Sequence, residues 1–285
     1  MTPKANLGAS VRARLLNKAK AEKIEFGLLL TRFALERLLY RLSVSRHQDQ
    51  FLLKGALLFD LWFDEPHRPT RDADFLGFGA ADLPALSAVF REICAIEIDD
   101  GIVFDPRSVK AQEIRKDANY TGIRITLTGL LDGARCQVQA DIGFGDAVTP
   151  APEEIEYPTF LKDLPAPKLR IYPRYTVIAE KFETITSLGI ANSRMKDFFD
   201  LWVLTRNSEL DASILSRAIR ATFERRGTAL PTSTPVGLSD EFAADPAKQT
   251  QWRAFTARNQ LATPELQVIV QHLRRFLESV IELQT

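Results

Sequence analysis

Apolar residues recur at helical spacing through the first part of the chain. Between Ser10 and Ala21, Val11, Leu15, Leu16 and Ala19 interleave with Arg12, Arg14, Lys18 and Lys20, with Lys23 just beyond, which describes an amphipathic helix with a basic outer face. A second helix is expected from Glu25 to Leu42, where Phe26, Leu29, Leu30, Phe33, Leu38 and Leu42 keep the spacing. A third opens at Asp82-Leu83-Pro84 and runs to Cys94 over Leu86, Val89, Phe90 and Ile93. The period then drops to two. Gly101 to Phe104 reads as a strand, with Val109 to Arg115 as its partner. Tyr120 to Leu130 pairs with Arg135 to Phe144 across a turn at Leu131-Asp132-Gly133-Ala134. Six prolines between Pro150 and Pro173 exclude a central strand or long helix there, so this stretch is expected to be an extended surface connection and a domain boundary. Helical spacing resumes at Thr176, with Ile178, Phe182 and Ile185 inward. It continues through Arg194 to Trp202, Ala212 to Arg225 and Thr263 to Leu283, with Thr228 to Pro235 as a loop.

Composition adds mostly exclusions. The 285 residues can bury a full core, and 37 basic against 37 acidic residues leave no global field for a polyanion, so any nucleic-acid contact must be a local patch. Arg12 to Lys23 and Arg217, Arg220, Arg225 and Arg226 are the candidates, although solvated helix charges explain both more simply. Two cysteines and the scattered His47, His67 and His272 suit neither a disulfide framework nor a zinc site. No apolar run reaches the roughly 20 residues of a membrane span, and none near Met1 resembles a signal peptide, so no membrane association and a cytoplasmic location are expected.

The chemistry concentrates at Leu53-Lys54-Gly55-Ala56-Leu57 and Arg68-Pro69-Thr70-Arg71-Asp72-Ala73-Asp74. This reads as a glycine turn, a short helix, then a strand. Two acids two residues apart share one strand face, while Ala73 and Phe75 share the other. Such a pair suits a divalent cation, though it can equally be the wet face of an edge strand. Farther on, Gln137, Gln139 and Asp141 share a strand face, which offers a third carboxylate, with Asp146 as a competitor. In Arg194-Met195-Lys196-Asp197-Phe198-Phe199-Asp200-Leu201, both acids border a buried stripe and need partners, for which Arg194 or Lys196 would serve. Lys181 flanks the preceding helix.

The glycine turn, the short helix and Arg-x-Thr-x-Asp-x-Asp resemble the DNA polymerase β-like nucleotidyltransferases. Together with the Asp141 strand, Lys181 and Arg-x-Lys-Asp-x-x-Asp-Leu, they resemble more narrowly the AbiEii/MenT toxins of type IV toxin–antitoxin and abortive-infection systems. The resemblance covers roughly residues 50 to 205. It implies an α+β fold, a mixed sheet with flanking helices over residues 1–150, a proline-rich connection over 151–173 and a helical bundle over 174–285. It implies Mg2+ on Asp72, Asp74 and Asp141, catalytic roles for those acids with Lys181 and Asp200, and nucleotide contacts from Lys54, Gly55, Ala56, Arg68, Thr70, Lys181, Lys196 and Asp197. The implied reaction moves a nucleotide from an NTP to the 3′ end of tRNA, under restraint by a winged-helix antitoxin. A small-molecule or protein acceptor, or a catalytically silent nucleotide-binding module, are the competing readings. One departure is local: where the family carries a small hydroxyl residue after the glycine turn, this chain has Ala56-Leu57.

Overall fold

The computed structural model describes residues 3–63, 68–117, 120–207 and 209–281. His67 and the end of the last expected helix, Leu283, lie outside them. Two compact units emerge, residues 1–145 with 153–171, and residues 146–152 with 172–285.

In the first unit, helices α1 (Pro3–Glu22) and α2 (Phe26–Ser43) precede strand β1 (Phe51–Lys54). Glu25 caps α2 by accepting from the Gly27 and Leu28 amides. After β1 come a single turn of 3-10 helix, Gly55–Leu58, and the short α3 (Phe59–Trp62), then β2 (Asp72–Gly77), α4 (Leu83–Ala95), β3 (Ile102–Asp117), β4 (Tyr120–Leu131), β5 (Ala134–Phe144), β6 (Glu153–Glu156) and β7 (Lys168–Ile171). Among the described residues these seven strands form one mixed sheet in the order β3-β4-β5-β2-β1-β7-β6. The central pair, β2 and β5, is parallel. The fold is α+β.

The sheet is dry on one face. Ala73 and Phe75 of β2 and Val138, Ala140 and Ile142 of β5 are buried. Phe51 meets Phe75 and Phe90 edge-on at 5.8 Å each, which ties β1 and β2 to α4. Helix α2 is buried well beyond its apolar stripe. Arg41 makes paired hydrogen bonds to Asp100 at 2.7 and 3.1 Å and donates to the Ile102 carbonyl, while Arg37 donates to the Pro165 carbonyl at 2.9 Å. Those side chains satisfy loop groups that would otherwise be buried without partners.

Three expectations change in this unit. Phe51–Lys54, an apolar run too short to show a period, is a central strand. Residues 101–104 and 109–115 are not partners but parts of the single strand β3. It pairs with β4 on either side of an irregularity between Asp105 and Lys110. Pro106, which has no amide to donate, lies in that irregularity, and there the Thr128 amide donates to Ser108 Oγ in place of a ladder carbonyl. Part of the proline-rich stretch returns to the sheet, with β7 parallel to β1 at Leu53 and Ile171, and antiparallel to β6. Pro167 and Pro173 flank β7, so no ladder bond is lost to them.

The second unit is helical: α5 (Arg174–Leu188), α6 (Met195–Asn207), α7 (Ala212–Arg226), α8 (Asp240–Ala244), α9 (Pro246–Arg258) and α10 (Leu266–Glu278). Asp211, Ser239 and Asp245 cap α7, α8 and α9. Ile178, Phe182 and Ile185 of α5 are fully buried with Phe223 of α7, and Leu266, Ile269, Val270, Leu273 and Leu277 of α10 form the inward stripe.

Candidate active site

The first-unit site is built where β1, β2, β5 and β4 lie side by side. Strand pairing puts Asp74 opposite Lys54 on β1 and level with Asp141 on β5, and puts Asp72 level with Gln139. Paired positions share a face, so the three acids and Lys54 all stand on the side away from the Phe75 core. Asp72 and Asp74 are half-buried, while Asp141 is 5% exposed.

Each acid is held differently. The buried Thr70 hydroxyl donates to Asp72 Oδ1 at 2.7 Å. Asp74 lies directly over the Gly55 backbone: a Cβ at position 55 would stand 2.8 Å from Asp74 Cβ, 2.9 Å from its Cγ and closer still to Oδ2. Gly55 also has φ +78°, so the turn and the carboxylate both require glycine there. Asp141 accepts two hydrogen bonds from Arg124 of β4, Nε to Oδ1 and Nη2 to Oδ2, each 2.9 Å. That fork raises the Arg124 pKa first through the Asp141 hydrogen bond, against burial, with the charges of Asp141, Asp72 and Asp74 adding to it. Once its amide is turned to satisfy both groups, Gln139 accepts from the same guanidinium at 3.3 Å.

Arg124 is the participant that the sequence reading did not single out. Its signal lies in the hairpin: Arg124 is eight residues before Asp132, and Asp141 is eight after Gly133, so a two-residue turn places them opposite each other. Among the described residues no three metal-ligating side chains converge as a ready metal cluster. Asp72, Asp74 and Asp141 are the carboxylates that share this face.

In the second unit, Lys181 of α5 meets both acids of α6. Its Nζ lies 2.8 Å from Asp197 Oδ1 and 2.7 Å from Asp200 Oδ2, and Arg194 Nε donates to Asp197 Oδ2 at 2.6 Å. Asp197 and Asp200 are 1% and 0% exposed, so these cations are what makes their burial tolerable. Burial pushes the Asp197 carboxyl up, but the Lys181, Arg194 and Lys196 charges outweigh it and bring the group down to about 2. Lys196 itself is exposed.

A second, largely buried cluster uses Glu180 and Glu183 of α5. Arg226 reaches Glu183 at 2.7 Å, Asp146 at 3.3 Å and Glu180 at 3.6 Å, and Thr228 donates to Glu183 at 2.6 Å. Arg226 is therefore an interior residue and not part of an exposed basic patch. Asp146 belongs to this cluster, while Asp141 is the acid in register with Asp74.

The model of the family described as "Nucleotidyl transferase AbiEii toxin, Type IV TA system" matches residues 37–279. Two solved structures are similar in fold. The crystal structure of JHP933 from Helicobacter pylori is 17% identical with a TM-score of 0.53, covering 88% of this chain and 94% of that one. An H. pylori protein provisionally assigned as a nucleotidyltransferase is also 17% identical with a TM-score of 0.53, covering 90% of this chain and 99% of that one. A comparison with curated proteins gives no match.

Proposed function

This chain belongs to the AbiEii family of nucleotidyltransferase toxins of type IV toxin–antitoxin systems, and from that premise we propose that it transfers a nucleoside monophosphate from an NTP to the 3′ hydroxyl of a tRNA, blocking translation. Nucleotidyl transfer, an NTP substrate and an antitoxin partner come with the family. The tRNA acceptor, magnesium dependence and a winged-helix antitoxin are our reading.

The observation that carries the catalytic part is the seating of Asp74 over Gly55 beside a Thr70-anchored Asp72. Two half-buried carboxylates on one strand face are the hard, fixed oxygen donors that Mg2+ takes when substrate phosphates complete its shell. When bound, the ion would neutralise charge developing on the triphosphate and on the leaving pyrophosphate. The chain's own groups do the rest. Thr70 keeps Asp72 turned to the open face, and Gly55 leaves its backbone bare for close approach by phosphate. Lys54, on the same face as Asp74, adds positive charge. Ala56 and Leu57 are buried, so the grip normally made by a hydroxyl after the turn falls to the backbone, to Lys54 and to Arg68. In the second unit we assign Lys181 to the nucleotide, held by Asp200 and Asp197 with Lys196 beside them. Attack of the acceptor oxygen on the α-phosphorus then expels pyrophosphate.

The test uses the full chain with magnesium, each labelled NTP in turn and total tRNA, with Asp74→Ala in parallel. Label in the RNA band that disappears in the variant supports the reading and names the nucleotide. Pyrophosphate release without labelled RNA moves the acceptor to a protein or small molecule. Equal labelling by Asp74→Ala would remove Asp74 from the centre.

A further inference from the structure

Three carboxylates stand on one face of two adjacent strands, with Asp74 and Asp141 directly level. Left alone, neighbouring like charges at strand spacing repel, and Asp141 is also nearly closed to water. The structure answers with Arg124, which lies across from Asp141 and occupies both of its oxygens at 2.9 Å. A bidentate guanidinium–carboxylate pair fixes geometry as well as charge. The same guanidinium feels Asp72 and Asp74, and Gln139 steadies it from the adjoining position.

From this geometry we infer that Arg124 is the resident cation of Asp141 on the acidic face, as Lys54 is the cation opposite Asp74. It takes Asp141 out of the metal's donor set, so the resting site binds one divalent ion, on Asp72 and Asp74, where an unclamped triad of acids would bind two. Arg124 thus acts as a positioning residue through Asp141, and its role rests on the proposed metal reading of Asp72 and Asp74.

Manganese is a suitable probe, because its bound and free forms are counted directly by electron paramagnetic resonance without any turnover. The full chain without nucleotide is titrated as wild type, Asp74→Ala, Arg124→Met and the double variant Arg124→Met/Asp141→Asn. Circular dichroism checks that each is folded. Wild type should take up one ion, and Asp74→Ala should lose it. Arg124→Met frees a carboxylate and removes a unit charge within a few ångströms. It should bind a second ion and tighten the first by about thirtyfold, the effect of one unit charge about 4 Å from a divalent ion in a water-like dielectric. The double variant deletes the pair without changing net charge and should return to one ion at wild-type affinity. It also covers the case in which Arg124→Met alone fails to fold, because no charge is left buried without a partner. A tenfold or greater loss of the ion in the double variant would make Asp141 a direct ligand and overturn the inference alone. Failure of wild type to bind any manganese would overturn the metal reading and the inference with it.

Discussion

Asp74 occupies the space that a side chain at position 55 would need, and this makes Gly55 a sensitive position. Gly55→Ala imposes two costs: a Cβ in a left-handed backbone conformation, about 1–2 kcal/mol, and displacement of the Asp74 carboxylate. Nucleotidyl transfer should fall by about a hundredfold or more, because a misplacement of about 1 Å has that effect in a pre-organised site. The melting temperature should drop by only a few degrees. A variant that keeps wild-type activity would show that Asp74 need not sit where the structure puts it. Asp72, Asp74 and Gly55 were legible in the sequence because spacing alone puts two acids on one strand face and a glycine at the turn. Thr70, two residues before Asp72, and Arg194, three before Asp197, were legible as local supports of their acids. Two holds were not: Arg124 meets Asp141 through a register that appears only when strand pairing is counted, and Lys181 finds Asp197 and Asp200 across a helix pair that no single-helix pattern describes.

At the scale of elements, α2 departs furthest from its pattern. Its apolar spacing is that of a helix with one wet side, yet Glu36 and Arg37 are 1% and 0% exposed, because residues 157–165 lie over that side. Burial pushes the Glu36 carboxyl up to about 7, against the pull of Arg37 and the Phe160 amide. Between about 4, where an exposed glutamate titrates, and about 7, the folded chain holds a proton that the unfolded chain has lost. Stability contributed by this group therefore falls as pH rises through that window, by on the order of 3 kcal/mol at most. Melting temperatures measured from pH 5 to 7.5 should decline in wild type and run flatter in Glu36→Gln; parallel curves would mean that Glu36 stays ionised. The same blindness to what covers an element accounts for the other differences. Helical periodicity located α1, α2, α4, α5, α6, α7 and α10, and the Asp132-Gly133 turn located the β4–β5 hairpin. Periodicity missed β1, a four-residue strand whose neighbours come from distant segments, α8, which is five residues long, and α9, whose apolar stripe is weak.

For the whole molecule, the balance of 37 basic and 37 acidic residues means that RNA affinity must come from a few groups, and the ion pairs narrow the field. On α1, Arg12 pairs with Asp132 at 3.5 Å, Arg14 with Asp163, and Lys18 with Glu22 at 2.7 Å, so most of its basic face is already matched by acids of its own unit. On α7, Arg226 is interior, while Arg217, Arg220 and Arg225 remain exposed. A patch that neutralises about three phosphates gives a log–log salt slope of roughly −2 to −3, between the single-strand and duplex limits. Raising salt from about 50 to 200 mM should then weaken tRNA binding by about thirtyfold, far less than for a protein with a strongly basic face. Reversing two of these charges, in Arg217→Glu/Arg220→Glu, should flatten the slope by about two units while leaving NTP binding intact. If tRNA binding proves insensitive to both salt and those substitutions, α7 is a solvated helix and the acceptor is not held by its phosphates. A small-molecule acceptor predicts that insensitivity, so this one titration separates the two acceptor classes even before the transferred nucleotide is known.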